Sequence, residues 1–287
     1  MDAIPLRSAK MFPRRPARSS WGRTWDALRR VSRFVLRGRW RDRWISPFIR
    51  EVWPYHTTSC REVAMHHAPH LGDYVPELLI LRWKDELKTL EKRFGFRLPR
   101  VQIFLFPFVC DINNVFGQEC GGLALPSFNS IVVGEHATLH EIVRHEFVHL
   151  FAARWNASPS LLLQEGLAVH LQKSCNGYPI DALVRRFGGR SEWTLRALQD
   201  RDFFFERTYR HACYMIAGSF TGYLIDEFGW DAYRALYRRS GSRLFERSFE
   251  QTLGVSFQEA ESRWQRHALM PPASYRVVLG GRGSVDC

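Results

Sequence analysis

The segment TLHEIVRHEFVHLFAARW, residues 138–155, constrains this chain more than any other. Thr138 followed three residues later by Glu141 has the form of a capping box, in which the two side chains satisfy the first N–H groups of a helix. The spacing predicts a helix from Leu139 to about Trp155, with Ile142, Phe147, Leu150 and Phe151 as its packing positions. His145 and His149, four apart, then lie one turn apart on one face. Two imidazoles at that spacing can grip one metal ion with little rotamer strain. Glu146, one residue past the first, sits where its carboxylate can reach a metal-bound water.

Such a pair needs a third ligand, because catalytic zinc takes three protein ligands and keeps one position for water. The candidate is Glu165, 16 residues past His149 in SPSLLLQEGLAVHLQKS. Ser158 before Pro159 predicts the start of a second helix, with an N-cap and a proline at the first helical position. Glu165 falls among Leu161, Leu162, Leu163, Leu167 and Ala168, where a carboxylate needs a partner and a metal would be one. Gly166 costs about 1 kcal/mol of helix propensity relative to alanine. That cost predicts that something packs closely against it, such as the metal-binding helix.

The order of elements gives the fold class. Residues 73–95 carry leucines at helical spacing and stop at Gly95, RVQIFLFPF reads as a strand, and GGLALPSFNSIVVGEH reads as two short strands around Leu123 and Ile131–Val133. Everything after residue 138 except the tail looks helical. A small mixed or antiparallel sheet followed by helices is α+β. A length of 287 residues suffices for a sizeable core. The expected organisation is a basic N-terminal arm over residues 1–54, a main domain over 55–270 and a tail over 271–287.

The formal charge of +12 is not spread evenly. Residues 1–50 hold 14 Lys or Arg against 3 Asp or Glu, and the other 237 residues hold 27 against 26. Basicity therefore belongs to the arm and gives no argument that the main domain binds nucleic acid. The first 20 residues are rich in Arg, Ser and Pro and read as disordered. Within residues 21–50, Trp21, Trp25, Leu28 and Val35 recur at helical spacing among arginines. A basic amphipathic helix of this kind can dock on the main domain, lie on an anionic membrane surface or bind another partner. No apolar run approaches the roughly 20 residues of a membrane-spanning helix. No secretory signal is visible, which favours a cytoplasmic protein with peripheral membrane contact as an option. Six cysteines, none in a C-x-x-C pair, are too few for a disulfide scaffold. Cys110 and Cys120 flank a loop and either bridge in an oxidising compartment or remain thiols.

HEFVH together with LLLQEGLAVHLQ resembles the gluzincin metallopeptidases of the peptidase MA-like group. The segments GGLALPSFNSIVV, YMIAGSFTGYLIDEFGWDAYRALYRR and FEQTLGVSFQEAESRWQRHAL are similar to that group's edge strand and later helices, so the likeness runs from about residue 60 to about residue 270. It implies a zincin-type, thermolysin-like catalytic domain that hydrolyses peptide bonds with one zinc ion. His145, His149 and Glu165 would hold the metal and Glu146 would act as general base. Gly121, Gly122, Leu123 and Ala124 would bind a peptide or protein substrate. An oxyanion donor from a later helix is also implied, with Tyr214 the first choice and His211 the second. In thermolysin-type enzymes an aspartate four residues past the glutamate ligand orients the first histidine. Here that position is Val169, so any orienting group comes from elsewhere; His170 and His140 are candidates by proximity, with a solvated or capping histidine the preferred reading of each. The contrasting expectations are a catalytically silent binding or scaffold protein on the same fold, using zinc structurally or not at all and with membrane contact through the arm as an option, and a membrane-surface protein in which the arm carries the function.

Overall fold

Valine, isoleucine and phenylalanine crowd the segments that pair into a sheet, and leucine-rich amphipathic segments pack over one of its faces. The computed structural model describes residues 56–68, 74–107, 109, 112, 120–135, 139–175, 177–187, 194–206, 208–241 and 245–269. In chain order these form β1 (His56–Ser59), β2 (Val63–His67), α1 (Tyr74–Phe94), β3 (Val101–Phe106), β4 (Gly122–Leu125), β5 (Ser130–Gly134), α2 (Leu139–Ala152) and α3 (Leu161–Gln172). A short hairpin, β6 (Ser174–Cys175) and β7 (Tyr178–Pro179), leads to α4 (Ile180–Phe187), α5 (Arg201–Phe204) and α6 (Arg210–Phe228). The last helices are α7 (Trp230–Arg239), α8 (Phe245–Leu253) and α9 (Phe257–Leu269). The architecture is α+β, a mixed sheet followed by a helical region, as the order of patterns predicts.

The sheet runs β1-β2-β3-β5-β4. Its inner strands β2, β3 and β5 are parallel, and the outer strands β1 and β4 are antiparallel to their neighbours. Side chains alternate between the faces. Val63, Met65, Ile103, Leu105, Ile131 and Val133 join the main core with α1, α2 and α3. Phe104, Phe106 and Val132 point the other way and form a smaller cluster with Ile112 and Leu125. The parallel strands are therefore buried on both faces, which is why β3 and β5 read as nearly continuous apolar runs.

α3 and α6 approach so closely that a side chain at Gly166 would stand 2.6 Å from the Ala217 carbonyl oxygen and would also strike Thr221. The close neighbour that Gly166 accommodates is thus α6 and not the histidine-bearing α2. The start of α3 also differs from expectation. Ser160, with ψ 136°, precedes the first helical residue Leu161. Ser158 and Pro159 belong to a loop held by Asn156, whose Oδ1 accepts from Ser158 N at 2.9 Å and whose Nδ2 donates to the carbonyls of Tyr237 and Ser240. α2 ends at Ala152, and a turn carries residues 153–155.

Strands β1 and β2, with the sequences HTTS and VAMHH, are not evident from the sequence, and β6–β7 breaks the helical run after residue 138. Expectations for the arm, the tail, the Thr138 cap and Cys110 fall outside the described residues. Cys60, Cys175 and Cys213 are free thiols. Among the described residues, no helix is long and apolar enough to cross a membrane.

Candidate metal centre

α2 turns Val143, Phe147, Leu150 and Phe151 into the core, all essentially buried. His145 and His149 share another face of the helix, with ring centroids 4.7 Å apart. α3, packed alongside, directs Glu165 at both. Its Oε2 lies 3.3 Å from His145 Nε2 and 3.4 Å from His149 Nε2. The three ligand atoms all fall within 4.8 Å of one another, and this group could hold a metal ion.

The donors fit a small divalent cation. Ligand atoms about 2.0–2.1 Å from a tetrahedral zinc ion stand about 3.3 Å from each other, and both nitrogen-to-oxygen separations are of that size. One carboxylate oxygen facing two imidazole nitrogens calls for positive charge between them. Burial acts to raise the Glu165 pKa, but His149 and His145 outweigh it and hold this carboxyl well below the usual carboxylate range. His149 Nδ1 is buried with no hydrogen-bond partner among the described residues.

Glu146 points into the same space. Burial pushes its carboxyl up to about 7, with His145 opposing the rise, Glu165 adding to it, and the Ala124 backbone N–H lowering it through a hydrogen bond. Ala124 belongs to β4, the outer strand of the sheet beside α2. Gly121, Gly122, Leu123 and Ala124 are all half-buried, and no strand pairs with the outer edge of β4 among the described residues. The expected base and the expected edge strand are therefore neighbours.

α6 separates the two expected oxyanion donors. Tyr214 packs edge-on to His145 with centroids 5.9 Å apart and to Phe204 at 5.1 Å. Burial and then the carboxylates of Glu165 and Glu146 push its hydroxyl well above the usual tyrosine value, so it remains a hydrogen-bond donor at neutral pH. His211, one turn earlier, is exposed.

The group that orients His145 is neither His170 nor His140. Gln172 Oε1 lies 3.0 Å from His145 Nδ1. Val169 is buried against α6, where a side chain at Gly218 would meet its Cβ at 2.9 Å. His170 also faces α6, over Gly222, and burial lowers its pKa. The signal for Gln172 was its spacing: seven residues past Glu165 is two helical turns, which returns to the same face. Comparison with protein-family models and with curated proteins yields no match for the chain.

Proposed function

We propose that this chain is a zinc-dependent metallopeptidase of the gluzincin type, in a zincin-like domain. The observation that carries this reading is the convergence of His145, His149 and Glu165 with the Glu146 carboxylate beside them and strand β4 alongside. Two imidazoles and one carboxylate are a donor set suited to catalytic zinc, with a fourth position open. When bound, zinc supplies the Lewis acidity that polarises a peptide carbonyl and makes water acidic near neutral pH.

The protein's own groups supply the rest. Glu146 takes the proton from the attacking water and delivers it to the leaving amine. A buried carboxylate that accepts a backbone hydrogen bond from Ala124 is held in place for both roles. Tyr214 donates its hydroxyl hydrogen to the developing oxyanion. The outer edge of β4 binds an extended peptide by strand addition, which places backbone rather than side-chain recognition nearest the chemistry.

The test is to incubate the zinc-loaded protein with a mixed-sequence peptide library and follow the products by mass spectrometry. Cleavage is expected in the wild type and is expected to vanish in Glu146→Gln with zinc retained. Intact peptides with the zinc-loaded wild type would overturn the peptidase reading in favour of a zinc-holding binding protein.

A further inference from the structure

Gln172 is the last residue of α3, and its amide makes two hydrogen bonds. Nε2 donates to the Ser174 carbonyl at 2.8 Å, and Oε1 lies 3.0 Å from His145 Nδ1. A carbonyl oxygen only accepts, so the bond to Ser174 fixes which end of the amide is nitrogen. The end facing His145 is then oxygen and also only accepts. Nδ1 must therefore carry the hydrogen. A metal takes the neutral imidazole, which has one such hydrogen, so in the metal-bound form Nε2, which lies 3.3 Å from Glu165 Oε2, presents its lone pair into the site, whereas without a metal a hydrogen on Nε2 can bond to that carboxylate.

We infer that Gln172 is a positioning residue that locks His145 in its Nδ1–H tautomer and so readies Nε2 as a metal ligand. The inference rests on the zinc reading above and gives the orienting task to an uncharged group. A carboxylate at this place would add a third anion beside Glu165 and Glu146. The amide adds none.

The amide is itself held from behind. Lys173 adopts φ 75°, ends α3 and turns the chain so that the Ser174 carbonyl faces back toward Gln172. Ser174 Oγ then donates to Glu141 Oε1, and Gly177 N donates to the same oxygen at 3.0 Å. Glu141 is buried on α2, four residues before His145. The path His145–Gln172–Ser174–Glu141 thus leaves α2 and returns to it one turn upstream. The hairpin β6–β7 is the element that closes this circuit.

The test measures zinc affinity of the full chain by chelator competition, together with nitrogen-15 histidine NMR of the zinc-loaded protein. Removing an orienting group of this kind costs about 10–100-fold in metal affinity, and Gln172→Leu is expected to lose that much. Gln172→Glu keeps an acceptor for Nδ1 but loses the donor to Ser174, and is expected to recover only part of the loss. The wild-type spectrum should show His145 protonated at Nδ1 alone, and Gln172→Leu should show mixed tautomers. Wild-type zinc affinity in Gln172→Leu would overturn the inference and leave the zinc reading standing. Absence of stoichiometric zinc in the wild type would overturn both. If Gln172→Leu does not fold, the wild-type spectrum decides alone, and an Nε2–H tautomer at His145 would sink the proposal.

Discussion

Gly122 lies directly against Glu146. A side chain on this glycine would stand 3.0 Å from both Cγ and Oε1 of Glu146 and 2.7 Å from Cγ2 of Ile142. Strand β4 can cross α2 at this distance only because the position lacks a Cβ. Gly122→Ala should therefore push β4 away from α2 and weaken the Ala124 hydrogen bond to Glu146. Overpacking of this kind costs about 1–3 kcal/mol in a urea titration. Misplacing a reacting group by about 1 Å can cost about 100-fold in rate, so peptide cleavage should fall much further than stability. Zinc content should stay at that of the wild type, since the atoms nearest to a side chain there belong to Ile142 and Glu146 and not to a metal ligand. Loss of zinc with loss of activity would place the effect in the metal centre instead.

Glu146 also carries a pH-dependent cost. Its folded value, about 7, is raised above the ordinary 4.5, so the folded state resists ionisation. Stability is then fully present below the ordinary value and declines as pH rises through the folded one. In metal-free protein the loss amounts to under about 1 kcal/mol at pH 5 and to about 3 kcal/mol at pH 8. A glutamine side chain at this position has no proton to lose. Metal-free Glu146→Gln should therefore exceed metal-free wild type in stability at pH 8, with a much smaller difference at pH 5. Urea denaturation at the two pH values measures this, and equal differences would show that the effect comes from packing.

The metal ligands could be found in the sequence because helix geometry alone relates His145 to His149, and because a glutamate among leucines needs a partner. Strands β3 and β5 were legible for a similar reason: their β-branched and aromatic content matches a sheet buried on both faces, while β4, Gly-Leu-Ala-Leu, was legible from the turn that joins it to β5. β1 and β2 were not, because HTTS and VAMHH carry no clean alternation and owe their form to pairing, β2 with β3 and β1 with β2. The role of Gly166 was half legible. Helix propensity marks the close approach, but only tertiary packing says that α6 is the neighbour. Gln172 was missed because its role depends on a left-handed turn at Lys173 and on a hairpin two residues long on each side.

Tyr214 and His211 separate cleanly by experiment. Tyr214 is packed beside His145 and Phe204, whereas His211 is exposed. Removing one oxyanion donor costs about 100- to 1,000-fold in kcat. Tyr214→Phe keeps the ring contacts and should lower kcat by that order with KM little changed. His211→Ala should leave both constants near wild type. Steady-state kinetics on any cleaved peptide gives the comparison, and the opposite ranking would reassign the donor to His211.

Gly166 tests whether the seam between α3 and α6 positions the metal site. A methyl group there would meet the Ala217 carbonyl oxygen at 2.6 Å as well as the Thr221 hydroxyl. The hydroxyl can be removed, but the carbonyl belongs to the α6 backbone and cannot move unless the helix shifts. Gly166→Ala should therefore be destabilising by about 1–3 kcal/mol, although alanine is the better helix former by about 1 kcal/mol. Because Glu165 is the adjacent residue, displacement of α3 should carry its carboxylate away from His145 and His149 and lower zinc affinity as well. Adding Thr221→Ala should recover only part of either loss, because the clash with the backbone remains. Full recovery in the double variant would mean that the side chain of Thr221, and not the position of α6, sets the distance between the helices.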